Sequence, residues 1–450
     1  MRGVIGPDEI RRVTQAALEL PGADGVEVLL MHEWGGLTRF AGSSIHQSTW
    51  REDTDVRVRV VKGGRIGVAS ANELTPEGAR RAAESALEMA SVVAPDPLFP
   101  GLAPPQAVPE GADGFDEATA STTPEWRAER VAELVAQCPD GFTAAGAYET
   151  IASEVAVANS EGQFCWAPSS MASASTVVSG GEVGSGFAEA FASSTDGVDP
   201  EAVGRRAATK AAASQSPRDL DAGRYTVVLE PQAVSTLLGF LAFIGFGGRL
   251  LAEGRSCFAG KEGQVVAAPA ISIHDDATAP GTLGIPFDFE GVPRRRIDLI
   301  EDGVFVDGVY DLRTGKQAGK ATTGHALPAP NPEGPFPLNM FMAPGTASLE
   351  DMISSTERGL LVTRFHYSNV VHAVDSTITG MTRDGTFLIE NGEIAHPVKN
   401  FRYTQSIIEA LSNATMIGAE TALASEFFFS ASRVPALKVE SFNFSGRSDH

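Results

Sequence analysis

Residues 231–248 read PQAVSTLLGFLAFIGFGG, 18 residues without a charge or a histidine. Val234, Leu237, Leu238, Phe240 and Leu241 recur at helical spacing, the pattern of a helix buried on most of its circumference. Gln232, Ser235, Thr236 and four glycines fall within that length, so a core helix is a better reading than a membrane crossing. The strand-like YTVVLE, residues 225–230, leads into it.

Upstream of that strand, Pro, Asp and Gly cluster from Ser216-Pro217 to Gly223, which marks a boundary between a domain over residues 1–216 and another over 217–450. A chain of 450 residues exceeds the size at which one core keeps growing, in keeping with two domains. In the first, helices are expected over Pro7–Leu20, from Thr75-Pro76 to Val93, and over Glu125–Gln137 and Glu201–Ala213. Strands are expected over Val26–Met31, around the Gly63-Gly64 turn, and on either side of Asn159-Ser160-Glu161-Gly162 within Ile151–Trp166. The Pro-rich and acidic stretch Pro95–Pro124 reads as a surface excursion, and SGGEVGSGFAEAFASS, residues 179–194, as an ordered turn or strand edge.

In the second domain VVAAPAISIHDD, residues 265–276, reads as a strand. Residues 288–312 hold at least two more, parted by Glu301-Asp302-Gly303. Asn391-Gly392 is the strongest hairpin signal in the chain, and a helix is expected near Gln405–Leu411. The alternation of elements fits an α+β protein with antiparallel sheets better than a doubly wound parallel sheet.

Composition narrows the function. Lys and Arg number 35 against 57 Asp and Glu, a formal charge of -22 that repels nucleic acid and anionic lipid. Arg294-Arg295-Arg296 is too short to reverse this and reads as a solvated loop or strand start. Cys138, Cys165 and Cys257 give neither a disulfide framework nor a clustered metal site, and the first residues carry no apolar signal core, so the cytoplasm is the expected compartment. No GxGxxG, GxxxxGK[ST] or GxSxG pattern occurs; Gly63-Gly64 and Gly247-Gly248 read as turns and packing positions. Cys257 becomes reactive only if Arg255 or Lys261 lowers its pKa, and a small buried hydrophobe is the commoner role. His32-Glu33 lacks a second histidine at zinc-binding spacing. His366 and His372, with Asp375 nearby, form a metal site only if remote carboxylates converge on them; His46, His274, His325, His396 and His450 are scattered.

LTRFAGSSIHQ (37–47), GGRIGVAS (63–70), VAVANSEGQ (155–163), AATKAAASQSP (207–217) running on to GRYTVVLEPQAV (223–234), and IENGEIAHPVKNF (389–401) occur in this order along nearly the whole chain. In combination they resemble the TldD/PmbA family, also called TldD/TldE. The resemblance implies a cytoplasmic component of a metallopeptidase in which a catalytic TldD-type subunit pairs with a related TldE-type subunit. Members are also described as modulators of DNA gyrase and as processors of microcin-like peptides. It further implies an N-terminal α/β domain with an antiparallel sheet and a C-terminal β-rich, barrel-like domain with helices.

In a TldD-type subunit, HExxxH follows the YxVVL strand, its histidines holding zinc and its glutamate activating water. Carried over, those positions are Gly239 for the first histidine, Phe240 for the glutamate and Ile244 for the second histidine, and none of the three can do the original work. The family's further cysteine ligand has no counterpart after Cys257. The resemblance therefore implies a TldE/PmbA-like subunit with no catalytic residue, no metal ligand and no cofactor of its own, shaping the peptide path to zinc held by a TldD-like partner. It would form a heterodimer with that partner, or a homodimer when alone, with peptide as substrate and neither membrane nor nucleic acid bound. Arg39 and His46, within the family-like LTRFAGSSIHQ, are the candidate peptide contacts; a salt bridge or hydrogen-bonded hairpin is the plainer structural explanation of them. A peptidase or peptide-tailoring hydrolase using another site, and a stand-alone peptide-binding homodimer, are the alternatives.

Overall fold

The computed structural model describes residues 3–109, 114–181, 184–425 and 431–447. His450 and the Glu182-Val183 part of the 179–194 stretch lie outside these.

A first sheet is built from β1 (Gly25–Ala41), β2 (Ser44–Lys62), β3 (Arg65–Ala71), β4 (Phe142–Asn159), β5 (Phe164–Gly180) and β6 (Gly184–Ala192). Its order is β3-β2-β1-β4-β5-β6, antiparallel throughout. The Gly63-Gly64 turn takes φ of 58° and 71°, a left-handed pair that fits a two-residue hairpin and strains any residue with a Cβ. Because side chains alternate along a strand, the even-numbered Val26, Val28, Leu30, Val56, Val58 and Val60 form one apolar face, covered by helices Pro7–Leu18 and Pro76–Val92. Helices Pro124–Val135 and Pro200–Ala213 cover the other half. Helix Pro76–Val92 comes so close that a Cβ on Gly67 would lie 2.0 Å from the Ala86 carbonyl oxygen. The odd-numbered residues Leu29, Met31, Glu33, Arg57 and Arg59 point to the opposite face, towards the second half of the chain.

That half holds β7 (Gly223–Leu229), β8 (Ile273–Asp275), β9 (Ile297–Glu301), β10 (Val304–Phe305), β11 (Met340–Met342), β12 (Arg358–His372), β13 (Thr377–Glu390), β14 (Glu393–Pro397), β15 (Phe401–Ser406), β16 (Ala414–Ala424) and β17 (Ser432–Arg447). The expected barrel-like form is corrected here. The 11 strands make a branched sheet along the path β10-β9-β8-β11-β17-β15-β13-β12-β7, with β14 beside β13 and β16 beside β17. β7 also pairs with β17, which folds part of the sheet back, but β8 to β11 leave as an arm and the sheet as a whole does not close. Bulges are the physical cause. Register shifts at Val362/Arg364 and His366/Asn369 in β12, and at Val439/Phe442 in β17, bend these long strands so that each end meets different partners. The strand expected over residues 265–276 shrinks to β8, while Asn391 and Gly392 turn with φ of 53° and 80° as their sequence requires.

The apolar run becomes helix Pro231–Leu241, a π-helical turn over Ala242–Phe246, and a short helix Gly248–Ala252. It packs against β12 and β17 in the main core, with Val234, Leu237, Leu238 and Leu241 fully or almost fully buried. Its buried hydroxyls turn inward on the helix: Ser235 Oγ donates to the Gln232 carbonyl at 2.9 Å. Where the π turn leaves carbonyls unbonded, neighbours supply donors: Cys257 N to Ile244 O at 3.3 Å, Ser256 Oγ to Gly245 O at 2.6 Å, and Val309 N to Phe246 O at 2.8 Å. Among the described residues, no helix is long and apolar enough to cross a membrane.

Candidate functional site

The loop Phe287–Gly291 ties the two halves together. Phe287 is buried among Leu29, Val155, Val157 and Cys165 of the first sheet. Asp288 makes the loop rigid: its Oδ1 accepts from Glu290 N and Val292 N, and its Oδ2 from Ala326 N. Glu290 then receives Arg59 Nη1, while Arg59 Nη2 donates to Glu27 at 2.7 Å. Burial, reinforced by the Glu290 charge, raises the Asp288 carboxyl to about 7, and burial raises Glu27 to about 7 against the pull of Arg59.

Two cavities open beside this loop and share Phe289 and Leu338 in their walls. The larger, of about 1030 Å³, is predominantly apolar; Ala242, Phe243 and Ile244 of the π turn form one wall and Met31 and Arg57 another. Arg57 is not free to swing, since its Nη1 donates to Ala329 O at 2.9 Å and its Nη2 to Asp55 at 2.5 Å. Phe243 is 48% exposed within a helix otherwise buried, so its ring faces the opening. The smaller cavity, of about 730 Å³, is lined by Glu33, Arg51, Glu149 and Ser153 from the first sheet and by Gly284, Arg294 and Asn339 from the second half. Burial raises the Glu149 pKa.

The positions matched to HExxxH are therefore at a cavity wall, in part. Ile244 lines the larger cavity; Gly239 and Phe240 are buried in the helix above it. A five-residue spacing sits about 140° apart on a regular α-helix. The π register, whose bonds span five residues, turns such positions towards one side. Here the π turn starts at Ala242, past Gly239 and Phe240, and a hydrogen, a phenyl ring and a sec-butyl group offer no lone pair to zinc. Zinc does not fit these residues. Among the described residues, no set of three or more His, Cys, Asp or Glu side chains is grouped to hold a metal ion.

The other candidates separate. Arg39 shares the face of Glu33 on β1 but lies six positions further along, roughly 20 Å by strand rise, and both Arg39 and His46 are exposed and line neither cavity. His372 lines the larger cavity and pairs with Asp375 at 3.0 Å; His366, whose pKa burial and Arg383 lower, packs edge-on against Tyr367. Glu33 pairs with Arg51. His32 faces away from it, with Nδ1 2.9 Å from Thr54 Oγ1. Burial raises the Cys257 thiol to about 12, which leaves it a packing residue despite Lys261.

Sequence reading missed three features here. Arg294 is 3% exposed and belongs to a cavity wall, which corrects its reading as part of a solvated run; Arg295 and Arg296 are exposed. His325 and Asp275, fully buried or nearly so, pair at 2.9 Å behind the same wall. Asn339 is joined to them, its backbone N–H donating to Asp275 Oδ2 at 2.7 Å. No local pattern marks them, because they stand tens of residues apart.

Comparison with known proteins bears on this geometry. Models of the PmbA/TldA metallopeptidase family match the chain in three stretches: domain 1 at residues 26–90, the central domain at 114–215 and the C-terminal domain at 222–446. A protein of Escherichia coli O157:H7 named metalloprotease PmbA is 24% identical over 446 residues, 96% of each chain. A metalloprotease TldD homolog of Haemophilus influenzae is 29% identical over 205 residues, 45% of this chain and 42% of its own. The crystal structure of TldE from Thermococcus kodakarensis superposes with a TM-score of 0.89 at 22% identity, covering 97% of this chain and all (100%) of that one.

Proposed function

The chain belongs to the PmbA/TldA metallopeptidase family, and from that premise we propose that it is a non-catalytic, TldE-like subunit that shapes the peptide path of a two-subunit zinc metallopeptidase. The observation that carries this reading is the helix wall. Gly239, Phe240 and Ile244, at the positions the resemblance gives to ligand, base and ligand, offer no group to a metal, while the same segment forms a π turn and a wall of a peptide-sized cavity. A fold that keeps a groove and drops its chemistry suits a role in binding and access.

The cavity supports it physically. An apolar space of about 1030 Å³, next to a second of about 730 Å³, accommodates several side chains of an extended peptide and is far too narrow for a folded domain. Beside the lining residues Val370, His372 and Val374 in the chain, Tyr367 is 73% exposed and Val371 56%, and Val374 itself 47%, apolar groups suited to a partner subunit. That partner is a TldD-like subunit bearing HExxxH, which brings the zinc; this chain supplies no metal ligand and acts in the cytoplasm.

Co-expression with a TldD-like subunit, followed by size-exclusion chromatography and a peptide-cleavage assay, tests the reading. A mixed dimer is expected, with cleavage that requires both chains, no tightly bound zinc in this chain alone, and no peptidase activity from it. The reading fails if the two never co-purify and this chain leaves the partner's activity unchanged. Stoichiometric zinc and activity in this chain alone, abolished by changing one of its histidines, would also overturn it.

A further inference from the structure

On two residues that line the smaller cavity, 3% and 5% exposed, the buried donors Arg294 Nη1 and Asn339 Nδ2 have no acceptor among the described residues. A buried guanidinium without a counter-ion is costly, and buried N–H groups are nearly always paired. Arg294 is anchored through its Nε, which donates to the Phe287 carbonyl at 3.2 Å, and its backbone N–H, which donates to the Pro286 carbonyl at 2.9 Å. The carboxylates whose charge it feels are Asp275 and Asp288. Both are already engaged: Asp275 accepts from His325 Nε2 and Asn339 N, and Asp288 from three backbone N–H groups. Gly284 completes the arrangement, since a Cβ there would fall 2.4 Å from Asn339 Oδ1. The wall thus spends its internal acceptors elsewhere and leaves two buried donors without one, on two residues that line the same cavity.

We infer that this wall is a carboxylate subsite, where Arg294 and Asn339 hold a carboxylate of a bound peptide; the inference rests on the peptide-path reading above. Guanidinium and amide N–H groups match the two oxygens of a carboxylate. The remaining charges favour a single negative charge over a phosphate: Arg51 is paired with Glu33, and Glu149 adds an acidic group to the same lining. Ile151, Met171, Phe191, Leu283, Ile285 and Phe289 give the carboxylate's neighbours an apolar bed. The adjoining cavity then receives the rest of the peptide past Phe289 and Leu338.

The test measures fluorescence polarisation of the full chain with three labelled hexapeptides of leucine and alanine: one with a free C-terminal carboxylate, one amidated, and one amidated with an internal glutamate. The free acid is expected to bind at least about tenfold tighter than the plain amide, as for hydrogen bonds to a charged group. Tight binding of the free acid alone assigns the subsite to the peptide terminus; equal gain from the internal glutamate assigns it to acidic side chains. Arg294→Gln should abolish the preference and Arg294→Lys retain part of it, with circular dichroism confirming the fold. If Arg294→Gln does not fold, Asn339→Ala and the acid-to-amide ratio of the parent chain decide. Equal binding of all three peptides overturns the subsite and leaves the peptide-path reading standing, whereas absence of any binding overturns the subsite and is weighed against co-purification for the broader reading.

Discussion

Glu290, in the loop ahead of β9, accepts a hydrogen bond from Arg59 Nη1 on β2 at 2.9 Å, and both side chains are buried between the two halves of the chain. Each half supplies charges the other needs: Arg59 also pairs with Glu27, directly across the β1–β2 ladder. Breaking one partner of such a buried group costs more than the group contributes when whole, because a charge is left unpaired.

This node sets a pH dependence. Burial raises Glu27 from an ordinary 4.5, and Asp288 from an ordinary 3.8, to about 7 in the folded chain. Between those values the folded state holds protons that the unfolded state has released, so stability falls as pH rises from about 4 to 7 and levels off above. Asp275 and Asp96 are lowered; burial opposes this, but His325 and Arg313 respectively outweigh it, and their contribution is lost only as pH drops below the ordinary carboxylate range. The melting temperature should be higher at pH 5 than at pH 8, and Glu27→Gln should flatten the slope. A melting temperature that climbs from pH 5 to 8, in parent and variant alike, contradicts the assignment.

Phe240 and Phe243 should respond differently although three residues apart. Phe240 is 6% exposed, so Phe240→Glu places a carboxylate in the core and should cost roughly 3 kcal/mol or more, with no peptidase activity gained. Phe243 is 48% exposed at the cavity mouth, and Phe243→Ala should cost about 1 kcal/mol or less while weakening peptide binding. Urea titration gives both values. Equal losses would mean that the two rings do not differ in burial.

Arg39 and His46 test the reach of the peptide path. Both are exposed on the β1–β2 hairpin. Alanine at each should change stability by no more than about 0.5 kcal/mol. If the peptide path extends along the Glu33 face to Arg39, Arg39→Ala lowers peptide affinity in the polarisation assay while His46→Ala, at the register irregularity opposite Arg39 and Phe40, does not. Unchanged affinity in both variants confines the path to the two cavities.

The sequence carried its local elements well. Thr75-Pro76 marked a helix start, and the Thr75 side chain accepts the expected cap hydrogen bond; Thr123 and Asp199 cap the helices read from Glu125 and Glu201 in the same way, each ahead of a proline. Gly63-Gly64 and Asn391-Gly392 turned where their permitted φ values allow. That Gly239, Phe240 and Ile244 carry no lone pair for a metal was equally legible, because such a side chain is identified by its letter alone. The open, branched course of the second sheet was not legible. Pairing of β7 with both β12 and β17 depends on bulges at Val362/Arg364 and Val439/Phe442, and a one-residue irregularity leaves no mark on the alternation pattern.

Arg294, Arg295 and Arg296 show where the division falls. As three identical letters they have the same propensity and charge, and the sequence determined only that a basic segment precedes a strand. The fold set Arg294 in a cavity wall at 3% exposure and left its neighbours in solvent. That outcome depends on Asp275, His325 and Asn339, which stand 19, 31 and 45 positions away in the chain and converge only when the branched sheet forms. Local letters determine backbone preference and which side chains can do chemistry; burial and partnership are properties of the space between elements, and only the tertiary structure decides them.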